Sequence, residues 1–262
     1  IETGMKPDLI WIKSRNHATW HNLTDSVRGL NKSLFPNDED KETTETDIIL
    51  STDSTGFTLG ADGNSDGTNV NTKTYVAWTW KAGGNKNTFN VDNVGYSTYT
   101  TAPGLNAGTI KIMGASVGTK QGFSIIKYRG NSTANATVPH GLSEAPNFVM
   151  IKNLSNEYGW LTLHTDVGLT GTTVDGSPEY YMLLLESADE RQNFSSDTIW
   201  DPTSTTVKID QGSGGANWVN NSNSDYIMYA WHDVPGLQKF GKYTGNGASG
   251  WPNADGPFIE LG

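Results

Sequence analysis

The sequence predicts an all-β fold of tandem β-sandwich-like repeat modules with a linker hairpin between them. Three observations carry that expectation. Short apolar and β-branched runs, such as Phe123 to Tyr128 and Phe148 to Ile151, are bounded by Gly, Asn and Pro, the punctuation of strands joined by turns. Sustained helical periodicity is missing, and the best helical candidate, Tyr180 to Arg191, reads equally well as a buried strand through Met182-Leu183-Leu184-Leu185. Finally, several segments recur in the same order along the 262 residues, which signals a tandem array.

The recurrences set the boundaries. Lys127-Tyr128-Arg129-Gly130-Asn131 returns as Lys242-Tyr243-Thr244-Gly245-Asn246, and the strand led by Pro146 (Asn147 to Lys152) has its partner in the strand led by Pro7 (Asp8 to Lys13). Tyr75-Val76-Ala77-Trp78-Thr79-Trp80 matches Tyr226-Ile227-Met228-Tyr229-Ala230-Trp231, and Trp20 and Trp160 follow the two Pro-led strands at nearly the same distance. Residues 1–82 are therefore read as a first β repeat lacking its opening strand, 83–121 as a linker with a hairpin, 122–235 as a second β repeat, and 236–262 as the opening strand of a third, incomplete repeat. The segment from Pro257 to Gly262 looks like what should precede Ile1 to Pro7, so the chain reads as a fragment, with signal cleavage as the alternative.

Taken in order, Pro7 to Lys13 is apolar on both faces, as in a strand covered on two sides. Ser14 to Asn22 is a polar loop holding His17, Trp20 and His21, where recurrence of the Trp favours packing over ligand contact. Asp25 to Leu34 reads as a short surface element, Asn37 to Glu42 as a solvated acidic loop, and Thr43 to Leu59 as two strands. Alternation in Thr74 to Trp80 puts Val76, Trp78 and Trp80 on one face, matched by Ile227, Tyr229 and Trp231. Burial is the expected fate of both stripes, although an exposed stripe that stacks on sugar rings has the same pattern.

Composition excludes several function classes. A net charge of −10, with no cluster of Lys and Arg, argues against a nucleic-acid groove or an anionic membrane surface. No apolar run approaches the length of a membrane-spanning helix, so no membrane insertion is expected. The absence of Cys removes disulfides, thiolate catalysis and thiolate zinc sites together. No Gly-flanked Ser nucleophile, phosphate-cradling loop or repeated carboxylate pair appears, and no enzymatic activity is expected.

Two sets of residues remain as binding candidates. Asp62-Gly63-Asn64-Ser65-Asp66-Gly67 offers oxygen ligands at alternating positions followed by Gly, which suits calcium, with Asp62, Asn64 and Asp66 as ligands. Its twelfth position is Lys73 rather than Glu, and a hairpin turn explains the same residues. No other cofactor is expected. Trp20, Trp160 and Trp251 are the candidates for carbohydrate binding, since sugars present apolar faces to aromatic rings.

With these segments laid out, the chain resembles virion proteins of tailed bacteriophages, especially tail-fibre-like proteins of marine phages infecting cyanobacteria. The residues that carry the resemblance are Gly122 to Tyr128 with Gly130-Asn131, Val138-Pro139-His140-Gly141-Leu142, Ala145-Pro146, the Tyr75 to Gly84 closing, and Lys239 to Gly247 with Asp255 to Phe258. Ser143-Glu144 departs from the more usual Gly-rich turn, and Trp251 lengthens the last loop. The resemblance implies a β-rich, homo-oligomeric module of a virion surface protein, partnered by its own copies and neighbouring virion proteins, and contributing to host attachment through a surface glycan. A capsid-decoration or stalk role and a polysaccharide-degrading tail enzyme are the contrasting expectations.

Overall fold

The computed structural model describes residues 1–62, 67–84, 86–172, 178–193, 201–209, 216–249 and 256–259. The chain is all-β. Its first unit contains β1 (Leu9–Ser14), β2 (Asn22–Asp25), β3 (Lys32–Ser33), β4 (Thr43–Thr44), β5 (Ile49–Thr52), β6 (Phe57–Leu59) and β7 (Tyr75–Trp80). The second contains β8 (Phe89–Val91), β9 (Val94–Tyr96), β10 (Ile112–Gly118), β11 (Phe123–Arg129), β12 (Ala136–Pro139), β13 (Phe148–Asn153), β14 (Leu161–His164), β15 (Leu169–Thr172), β16 (Pro178–Leu184), β17 (Gln192–Asn193), β18 (Thr206–Ile209) and β19 (Asp225–Trp231). Among the described residues the helical elements are single turns, Thr165–Gly168 and Ala216–Val219.

The recurring segments make similar strand pairings. The first unit has a three-stranded antiparallel sheet, β2-β1-β7, and the second has the order β14-β13-β19-β11 at the centre of a ten-stranded sheet. β1 pairs with β7 from Leu9↔Trp80 to Ser14↔Tyr75, as β13 pairs with β19 from Phe148↔Trp231 to Asn153↔Tyr226. A side-chain detail repeats as well. The Tyr75 hydroxyl accepts from the backbone N–H of Val70, and the Tyr226 hydroxyl from that of Asn221, five residues upstream in both cases.

The two sheets meet face to face, and equivalent faces meet. Leu9, Leu23 and Ala82 from the first unit share a core with Phe123, Ile125, Met150, Trp160, Ile227, Tyr229 and Trp231 from the second. Behind this shared layer each unit has its own core. Ile10 and Ile12 pack under the β5–β6 hairpin with Ile48, Ile49 and Phe57, while Val149, Ile151, Tyr226 and Met228 pack under the β12–β18 ribbon and the 99–110 segment. The period-2 alternation of each strand thus serves two cores at once.

Residues 83–121 are not a free linker. Asp92 and Asn93, both at positive φ, close the β8–β9 hairpin, while β10 pairs antiparallel with β11 and parallel with β8. Ala102, Leu105, Ile110, Ile112 and Val117 are buried in the second unit's core, so the segment supplies much of that core. Its weak sequence periodicity hid this because its apolar residues are spread through turns. The segment after Leu237 forms no strand among the described residues, and Tyr243 and Phe258 are exposed.

Buried polar groups bolt the units together. Asp25 and Arg28 form a fully buried ion pair, Nε to Oδ2 2.5 Å, and the same carboxylate oxygen accepts from the Tyr229 hydroxyl across the interface at 2.6 Å. The guanidinium also reaches Glu42 at 3.3 Å and the Leu23 carbonyl. Burial works against its charge, but Asp25, Tyr229 and Glu42 raise its pKa above the ordinary range. Asp8, buried, accepts from the Ser26 and Ser116 hydroxyls and from the Ala82 and Gly84 amides, fixing the chain where it passes between units.

Two measurements check this account. Tyr229→Phe removes one donor from a buried carboxylate and should cost about 1–3 kcal/mol in urea unfolding, with Arg28→Met costing about 3–5 kcal/mol because it strands Asp25. His140, buried with Nδ1 accepting from Leu142 N–H, is lowered by burial to about 4 from 6.5, with its Thr203 contact opposing and His232 adding. As pH falls the unfolded chain takes up this proton first, so the contribution is complete above about pH 6.5 and lost toward pH 4, by up to about 3 kcal/mol. A His140→Gln variant should lack that part of the pH slope.

Candidate functional site

The first unit carries an open cleft of about 710 Å³, lined by Ala18 to Asn22, Phe35, Glu45, Ile48, Asp62, Gly67 and Thr68. Its aromatic wall is Trp20, 51 % exposed, set edge-on to Phe35 with ring centres 5.1 Å apart. The loop between β1 and β2 projects Trp20, and a hydrogen bond from the His21 backbone N–H to Asn37 Oδ1, 2.7 Å, ties it to the acidic loop. His21 Nδ1 accepts from the Trp11 indole at 2.9 Å, and burial followed by the nearby Lys13 lowers its pKa, so the ring is held neutral.

Polar groups complete the wall. Asp62 is buried, and its Oδ2 accepts from both the amide and the hydroxyl of Thr68, at 2.6 and 3.0 Å. Asp62 therefore closes a loop, and this use suffices to explain its burial. Asn64 and Asp66, its expected fellow calcium ligands, lie outside the described residues. Glu45 brings a second, half-buried carboxylate to the cleft. An aromatic face beside carboxylates and an amide suits a polyhydroxylated ligand, whose C–H face stacks and whose hydroxyls donate.

Trp160 corrects an expectation. It is fully buried, its indole N–H donates to the Phe35 carbonyl at 3.0 Å, and its ring stacks on Tyr229. It presents no face to solvent and cannot stack on a sugar. Trp251, the third candidate, lies outside the described residues. The aromatic stripes also diverge: Ile227, Tyr229 and Trp231 are buried, whereas Trp78 is 45 % exposed and packs edge-on to Trp11. Sequence recurrence implied one fate for both members of each pair, and the interface gave them two.

The acidic loop explains the difference. Residues of the 35–42 loop lie over the second unit, where Phe35 receives Trp160 and the Glu39 carbonyl receives Lys152. Lys152 is fully buried, with its ammonium also donating to the Asn153 and Tyr158 carbonyls. Burial lowers its pKa to about 8, against the pull of Glu186, Glu39, Asp40 and Asp38. Lys13, its equivalent, has no such lid and donates only to its neighbour's carbonyl at Ser14 among the bonds described. Phe35 and Glu45 were not singled out as site residues by sequence, since neither belongs to a motif and only the folded loop brings them to Trp20.

Residues 1–262 match the family described as a domain of unknown function, DUF7483. The chain belongs to that family. No curated protein and no solved structure matches it.

The two equivalent tryptophans make opposite stability predictions. Trp160→Ala should cost about 3–5 kcal/mol in chemical denaturation, the usual range for emptying a buried aromatic site. Trp20→Ala, which leaves no buried void, should stay within about 1 kcal/mol of the parent.

Proposed function

We propose that this chain is a non-enzymatic, tail-fibre-like module of a phage virion surface protein, contributing to host attachment by binding a surface glycan in the Trp20 cleft. The observation that carries the reading is the split between Trp20 and Trp160. One tryptophan of the repeated pair is consumed by unit-to-unit packing, and the other keeps an exposed ring face beside a cleft of about 710 Å³. A large exposed aromatic held by a second ring is a preorganised surface for a sugar's apolar face. The resemblance of the repeat segments to phage virion proteins supports the virion setting.

A purely structural role, as capsid decoration or stalk, draws on a different observation. Trp160, Tyr229 and the Asp25–Arg28 pair are spent on holding units together, which is what a spacer requires. Screening the purified chain and its Trp20→Ala variant against an array of bacterial surface polysaccharides separates the readings. Attachment predicts retention of a glycan that Trp20→Ala abolishes at unchanged thermal midpoint, with the bound oligosaccharide recovered intact. Equal behaviour of parent and variant, or no retention at all, favours the structural role, and chain cleavage of the glycan favours the depolymerising enzyme.

A further inference from the structure

His21 has one ring nitrogen engaged, and the identity of its partner fixes where the ring carries its proton. The Trp11 indole N–H donates to His21 Nδ1 at 2.9 Å, with the two rings tilted at 53° and their centres 5.7 Å apart. An indole nitrogen donates and does not accept, so Nδ1 is unprotonated and the proton of the neutral ring sits on Nε2. Among the described residues Nε2 meets no acceptor. Trp11 packs toward the shared core, whereas His21 lines the cleft beside Trp20.

The second unit shows that this pair is not a requirement of the strands that carry it. In the recurring segments Met150 stands where Trp11 does, and Leu161 follows Trp160 as His21 follows Trp20. Both replacements are apolar and buried. The indole–imidazole pair thus accompanies the exposed tryptophan, and the buried one has neither member. The rest of the polar wall is of the opposite kind. Glu45 and Asp62 bring carboxylates to the same cleft, and Asp62 Oδ2 is already taken by Thr68. Carboxylates accept from hydroxyls and repel a further carboxylate.

We propose that Trp11 locks His21 as its Nε2–H tautomer, and that this N–H is the donor with which the Trp20 cleft recognises an oxygen of an uncharged sugar. The inference rests on the glycan reading of the cleft and adds to it a specificity-determining residue and a ligand class. Sugar hydroxyls donate to Glu45, one hydroxyl, ring or carbonyl oxygen accepts from His21, and a uronic or sialic acid is refused by the two carboxylates. A donor fixed before the ligand arrives needs no reorientation on binding. An imidazole free to exchange tautomers would instead present a lone pair to the ligand part of the time.

Nitrogen-15 NMR of the whole chain reads both halves of the proposal. The ring nitrogens of His21, assigned outward from its backbone, should show the Nε2–H pattern at neutral pH, and Trp11→Phe should convert it to exchange between tautomers. The probes are methyl glucoside, methyl galactoside and methyl N-acetylglucosaminide, with methyl glucuronide as the charged control. At least one uncharged probe should move both the Trp20 indole signal and His21 Nε2, and the glucuronide should move neither. Titrated through the Trp20 signal, that probe should bind His21→Phe about tenfold more weakly. An Nδ1–H tautomer, a Trp20 shift without a His21 Nε2 shift, or equal binding of the glucuronide overturns this inference and leaves the glycan reading standing. If no probe moves the Trp20 signal, the glycan reading fails and the inference with it.

Discussion

A buried carboxylate with three kinds of donor holds this molecule in its shape. Asp25 takes its own loop's amides from Val27 and Arg28, the Arg28 guanidinium, and the Tyr229 hydroxyl from the other sheet. An ion pair taken out of water is sustained only where its hydrogen-bonding capacity is filled. Sliding the sheets past one another would remove the Tyr229 hydroxyl and leave a partly satisfied charge in an apolar layer. The junction therefore sets the register of one unit on the other, which hydrophobic contact by itself, being non-directional, does not.

That register decides which half of each repeated pair is covered. The 35–42 loop closes over the second unit and turns Trp160 and Lys152 into interior residues. The same loop meets Trp20 through the edge of Phe35 and leaves that ring half exposed beside its cleft. Along the sheets, among the described residues, β19 has strands on both sides and β7 on one. The first unit thus keeps an exposed tryptophan beside its cleft, while Trp160 of the second is packed away.

Function in this arrangement comes from what packing leaves over. Trp20 meets Phe35 edge-on and stays 51 % exposed, as exposed aromatic surface does where packing does not cover it.

The all-β class and the strand positions around Leu9, Phe123, Phe148 and Tyr226 were legible in the sequence. Alternation, turn residues and recurrence are local signals, written within a few residues of one another. Several features were not legible. The role of residues 83–121 as core, the burial of Trp160, the exposure of Trp20 and the Asp25–Tyr229 bond each depend on segments far apart in the chain. Phe35 meets Trp160 across 125 positions and Asp25 meets Tyr229 across 204. By itself the sequence determined which residues are apolar, aromatic and repeated. Only the tertiary structure decided which copy is covered, because burial is a property of what lies opposite a side chain, and that is set by how one sheet is seated on the other.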